Sequence, residues 1–339
     1  QIRLQAVDHP AGTEIVTNEK FKSPPFPEFR LFGVSRRVYP LPGHGLPEKF
    51  RRDPSGVADM HHLDLDFGTA ARSNHAVLIL HGWVDWADGS TFLSAVQEHK
   101  DLTFPYLQVK DAAGNWTTVV QDMGIPSGKP KTMAVDLSGR FLSASREVRI
   151  VTNLCVYWDD IFLVEDDAPP AVHLSTVPLS AADLHFRGFS KPTIHPQRTQ
   201  PERFDYQTVS ETSMWNPTRG SYTRYGAVEN LLNDADDRMV IMASGDEIRL
   251  RFQAKDLPPL PSGWIRDFLL LVDGWAKDAD ANTAFSQTVL PLPFHGMSSY
   301  PYPAAEHYPQ DQQHQDYLRE YNTRPALRLI RPLRQGTEE

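Results

Sequence analysis

The stretch "HAVLILHGWVDWADGSTF" (75–92) runs from a short apolar segment into Gly-Trp and then an acidic turn. A second stretch, "IRDFLLLVDGWAKDADANTAF" (265–285), repeats the arrangement. Gly82-Trp83, Ala87-Asp88 and Thr91 recur at the spacing of Gly274-Trp275, Ala279-Asp280 and Thr283. Each apolar run follows an alternating one: "HHLDLDF" (61–67) in the first case, "GDEIRLRFQA" (245–254) in the second. Alternation places apolar side chains on one face of a strand, and a short continuous run suits a strand inside a sandwich core. "RYGAVENLL" (224–232) also parallels "RLFGVSRRVYP" (30–40). Three elements in one order, closed by a shared signature, predict two related β units produced by internal duplication.

The segments between are also β in character. "PYLQVKDAAGNWTTVVQDMG" (105–124) reads as strand, turn and strand, with Gly and Asn supplying left-handed turn positions. "KTMAVDLSG" (131–139) and "REVRIVTNLCVYWDDIFLVE" (146–165) add further strands. The 28 prolines outnumber the 20 glycines, which favours extended segments over long helices. The predicted fold is therefore all-β, with two jelly-roll or β-sandwich units, extended termini and little helix. An extended lead-in takes 1–28 and the first sandwich 29–165. A Pro- and Ala-rich linker follows at 166–200, then a second sandwich-like unit at 201–305, incomplete or completed by strands from elsewhere. A polar helix around 310–321 and an extended basic tail fill 306–339.

Composition narrows the function classes. At 339 residues, 40% hydrophobic and 23% charged, the chain suits two globular domains. A net charge of −9 argues against a nucleic-acid partner, whose phosphates need a basic face. No window approaches the ~18 apolar residues of a membrane span. Cys155, the single cysteine, sits in an apolar strand pattern and reads as a buried small hydrophobe. The start "QIRLQAVDHP", without an initiator Met, suggests a processed product or a piece of a longer polypeptide.

The repeated acidic turn admits three readings. As a structural corner, Asp88 and Asp280 accept turn N–H bonds, while Thr91 and Thr283 close the turn or cap a short helix. As a cation site, Asp85 with Asp88 and Asp278 with Asp280 supply hard oxygens suited to Ca²⁺, without the full ligand ladder of an EF-hand. As a ligand edge, Trp83, Trp86 and Trp275 stack on a sugar face while Asp85 or Asp278 takes its hydroxyls. Two carboxylates in one cleft are what a glycan hydrolase needs, but duplication tends to separate these loops. His295, His307 and His314 are irregularly spaced and read as surface residues. No GxSxG, HExxH, P-loop, GxGxxG or CxxC motif occurs.

The stretches "LQVKDAAGNWTTVVQDMGIPSGKPKTMAVDLSG", "REVRIVTNLCVYWDDIFL", "ADLHFRGFS" and "RDFLLLVDGWAKDADANTAFSQTVLPLPFHGMSSYPYP" resemble the C-terminal region of bacterial FG-GAP repeat proteins of the ASPIC/UnbV type, often linked to tetratricopeptide repeats. The resemblance covers roughly 60–325 and implies no catalytic residues. The "GNW" turn and closing "YWDDI" strand also resemble galactose-binding-like jelly rolls, a likeness of fold that does not imply sugar binding. The family resemblance implies export to the periplasm, cell surface or extracellular space. The resulting expectation is a non-catalytic module for protein–protein assembly or adhesion, with other subunits as partners. A carbohydrate-binding module is the alternative, and a glycan hydrolase a lesser one.

Overall fold

A computed structural model describes residues 1–19, 30–43, 57–68, 75–85, 88–126, 128–165, 170–196, 201–212 and 218–326. Trp86 and the tail beyond Ala326 lie outside the described residues. In chain order, the first part holds β1 (Ile2–Pro10), β2 (Glu14–Thr17), β3 (Leu31–Val34), β4 (Arg37–Val38), β5 (Val57–Asp66) and β6 (Val77–Val84). Helix α1 (Gly89–Gln97) precedes β7 (Tyr106–Lys110), β8 (Trp116–Val120), β9 (Lys131–Asp136), β10 (Glu147–Leu154) and β11 (Val156–Val164). The second part contains β12 (His173–Val177), β13 (Leu179–Phe186), β14 (Phe189–Thr193), β15 (Arg203–Ser210), β16 (Ser221–Tyr222) and β17 (Gly226–Ala227). It closes with β18 (Asp246–Phe252), β19 (Trp264–Val272), α2 (Gln312–Tyr321) and β20 (Arg324–Pro325). The protein is all-β, with two short helices among the described residues.

The first unit is a sandwich of two antiparallel four-stranded sheets, β5-β10-β7-β8 and β4-β11-β6-β9. Leu63 and Leu65 of β5, Leu78 and Leu80 of β6, Val148 and Ile150 of β10 and Met133 of β9 meet between them. The outer face of β5 stays polar, and Asp64 there holds the Arg149 guanidinium through bonds of 2.6 and 2.7 Å. In β6 the alternate residues are apolar too. Ile79 packs with Phe162 and Val164 against Val16 of β2 and Val34 of β3, so this sheet is covered on both faces. That double coverage is why β6 reads as a continuous apolar run and β5 as an alternating one.

Two three-stranded sheets, β12-β1-β19 and β17-β13-β18, build the second unit. Ala182 and Leu184 of β13, Val228 and Leu232 form its buried centre, flanked by Ile2, Ile248 and Leu250. The segment read as an extended lead-in thus supplies the central strand of a sheet in the second unit. Sequence pattern hides β1 because Ala6, Val7, Asp8 and His9 are all buried, which destroys alternation. Its polar members are satisfied across the strand pair. Asp8 takes both Nε and Nη2 of Arg266 at 2.6 and 2.7 Å, and His9 Nε2 lies 3.0 Å from Asp267.

The 166–200 segment, read as a linker, carries β12, β13 and β14. Its prolines flank these strands or, as Pro192, lie within the short β14, so composition alone suggested a loop. Helix α1 shows no helical period in the sequence, although a short helix at this turn is one reading of Thr91. Only Thr91 and Ala95 of it are buried, a single apolar turn too short to register as a period.

In both units the alternating strand and the apolar strand after it belong to opposite sheets, β5 with β6 and β18 with β19. Their surroundings differ. β6 lies between β11 and β9, whereas β19 is the edge strand of its sheet.

Candidate functional site

The first acidic turn is a helix cap. Asp88 is the N-cap of α1, and its carboxylate accepts the Thr91 N–H at 2.8 Å. Trp83 stacks on Tyr157, with ring centroids 4.8 Å apart and planes inclined by 16°. Asp85 is buried at the exit of β6, its N–H bonded to the Cys155 carbonyl. Gly82 is required by close approach: a Cβ there would lie 2.5 Å from the Tyr157 carbonyl oxygen. No such constraint acts on Gly274, where the nearest atom is 3.9 Å away. The two glycines of the signature therefore serve different ends.

The second acidic turn folds onto the first. Asp280 accepts the main-chain N–H of Ser90 at 2.9 Å and its hydroxyl at 2.9 Å, and also the N–H of Asn282 at 2.8 Å. The Asn282 amide returns to Ser90 Oγ at 2.8 Å. Asp278 accepts the Asp280 N–H at 3.0 Å and the hydroxyls of Thr283 and Ser286. Duplication was expected to hold these loops apart; the tertiary fold instead joins them at the N-terminus of α1. Bonds from Asn282 and Ser90 hold the Asp280 carboxyl below the ordinary carboxylate range, the reverse of what a general acid needs. Among the described residues, no three His, Cys, Asp or Glu side chains gather as a group that could hold a metal ion.

Trp275 is placed differently from Trp83. It is 40% exposed and lines a cleft of the second unit. Met239, Val272, Leu292 and Pro293 are among the apolar walls, and the volume of about 340 Å³ falls within the ~300–1,000 Å³ range of small-ligand sites. The Tyr300 ring lies 5.1 Å from the Trp275 ring at 55°. Beneath it, Lys277 donates to the carbonyls of Thr288, Val289 and Pro291 at 2.9, 2.9 and 3.1 Å, and burial lowers its ammonium pKa to about 8.

A smaller pocket of about 70 Å³, sharing Trp275 and Asp273 with this cleft, has as one wall a polar cluster that the irregular His spacing did not announce. His295 Nδ1 lies 2.6 Å from Asp237 and Nε2 lies 2.9 Å from Asp273. The His295 main-chain N–H also binds Asp237, at 2.8 Å. Burial disfavours the imidazolium, but the two carboxylates outweigh it and raise the pKa above its ordinary value. His314 is separate, pairing with Asp311 and the Asp236 carbonyl, and His307 is exposed. The only sequence signal for the cluster was the Asp that precedes Gly-Trp in the second copy, Asp273.

The chain matches no family model, no curated protein and no solved structure.

Proposed function

We propose that the chain is an exported, non-catalytic β-sandwich module that holds a neighbouring protein subunit in an extracellular or cell-surface assembly. The observation that carries this reading is an apolar strip leading into the Trp275 cleft. Phe268, Leu270 and Val272 lie on one face of β19 and are 51%, 51% and 62% exposed, and Val272 itself lines the cleft. Contiguous exposed apolar surface of this kind marks interaction sites, and an edge strand is where a neighbour docks most readily. The export and the duplicated origin of the two units rest on the family resemblance and the repeated signature. A second copy of the chain is the simplest neighbour for the strip. Sedimentation velocity over a range of concentrations tests it: association that Leu270→Glu abolishes supports the reading. A chain that stays monomeric throughout, indistinguishable from its variant, excludes assembly of copies through this face.

Carbohydrate binding is the second reading, favoured by the half-open Trp275 ring beside the Asp273 carboxylate and His295. An aromatic face for C–H groups with a carboxylate for hydroxyls is the chemistry a sugar requires. A glycan array on the parent and on Trp275→Ala decides between them. Absence of any glycan signal from the parent removes this alternative.

A further inference from the structure

We infer that His295 is a pH-operated pin that holds the 293–297 wall of the Trp275 cleft against Asp237 and Asp273. The argument begins with hydrogen-bond capacity. An ionised carboxylate only accepts, and a neutral imidazole donates from one nitrogen alone. Both ring nitrogens of His295 face carboxylate oxygens at bonding distance, so both bonds form only when both nitrogens carry protons. The imidazolium thereby joins three separate pieces of chain: the 233–238 loop through Asp237, the exit of β19 through Asp273, and its own segment. On that segment Pro293, Phe294 and Met297 line the smaller pocket together with Trp275, and Pro293 lines the cleft as well.

The other charged groups around the pin are largely engaged. Asp236 in the 233–238 loop is bonded to Arg238 at 2.6 Å, and Asp234 of the same loop lines the smaller pocket. The Gln1 amino group donates to the Asp273 carbonyl at 3.2 Å. No other titratable residue lies on 293–297. Loss of one proton from His295 leaves a ring lone pair facing a carboxylate, a repulsive contact that frees one end of the pin. The sign follows from the raised folded value: the pin is closed below the ordinary histidine pKa and opens as pH rises through the folded one. The cleft is then a tight-walled site below the folded pKa of His295 and a looser one above it.

This rests on the cleft reading for its biological use, but its test needs no ligand. The His295 Cε1–H resonance is titrated by NMR in the full chain, alongside the ¹⁹F resonance of 5-fluorotryptophan at position 275, assigned with Trp275→Phe. The expected result is a His295 midpoint above 6.5 with the Trp275 signal moving at the same midpoint. Asp273→Asn lowers the midpoint, and His295→Gln abolishes the Trp275 response while the far-UV circular dichroism is kept. A midpoint at or below the ordinary value overturns the pin, as does a Trp275 signal that ignores the His295 titration. Failure of the glycan or assembly experiments leaves these readouts unaffected, so the two ideas fall separately.

Discussion

Ser90 and Asp280, 190 residues apart, are joined by two hydrogen bonds of 2.9 Å, one from the Ser90 amide and one from its hydroxyl. The first N–H groups of a helix have no partner within it. In α1, Asp88 satisfies Thr91 from inside the turn, while Asp280 satisfies Ser90 from the second unit. Two copies of one sequence signature thus cap one helix, the near copy in cis and the far copy across the unit boundary. Negative charge at this end of the helix also complements its dipole.

The latch carries a measurable coupling. Asp280→Ala and Ser90→Ala each lose about 1 kcal/mol in urea unfolding, the net worth of a part-exposed hydrogen bond. Their double mutant loses less than the sum, with a coupling of roughly 0.5–1 kcal/mol. Strict additivity would show that the contact contributes nothing to stability.

Glycine substitutions separate the two copies of the signature. A Cβ on Gly89 would lie 1.9 Å from Thr283 Oγ1, and one on Gly82 would meet main chain at 2.5 Å. Gly82→Ala and Gly89→Ala are each expected to cost about 1–3 kcal/mol, as overpacking does. Removing the Thr283 hydroxyl with Thr283→Ala restores part of the Gly89→Ala loss. Gly274→Ala stays within about 0.5 kcal/mol, having open space around it. A strongly destabilised Gly274→Ala protein would show that the two glycines do the same job after all.

Acid weakens the attachment of β1. Hydrogen bonds from Arg266, set against the cost of burial, depress the Asp8 carboxyl below its ordinary value. A depressed carboxyl contributes stability that is present above the unfolded-state pKa and lost as pH falls through the folded one. Hydrogen exchange of β1 and β19 should therefore accelerate together below about pH 4, where carboxylates begin to protonate. Asp8→Asn should remove this acid-dependent part, leaving exchange already fast at pH 7. Unchanged protection of β1 in that variant would place its anchorage elsewhere.

Calcium should leave thermal stability where it is. The Asp278 and Asp280 oxygens hold N–H and O–H donors of the chain, which an ion would have to displace. Scanning fluorimetry with millimolar Ca²⁺ and with EDTA is expected to give one melting temperature. A rise with Ca²⁺ that is lost in Asp280→Asn would show these turns yielding their carboxylates to the ion.

How much of the site was visible in the amino-acid order varies residue by residue. Asp88 as a cap, and Thr91 three residues on, follow from local chemistry that any short segment displays. Trp275 stood out through its match to Trp83, yet the match gave no hint that one ring is stacked on Tyr157 and the other left half open. His295 looked like a solvated histidine, because its carboxylate partners lie 58 and 22 residues away.

The amino-acid order by itself determined the all-β class, the β7–β8 hairpin and the succession of an alternating strand and an apolar one in each half. These depend on side-chain periodicity over a few consecutive residues, which the backbone reads locally. Tertiary structure alone decided that β1 enters the second unit, that the two acidic turns meet at α1, and that His295 bridges two aspartates. Each of those depends on groups brought together from far along the chain. A buried Asp8 is indistinguishable from an exposed one until the strand bearing Arg266 lies beside it.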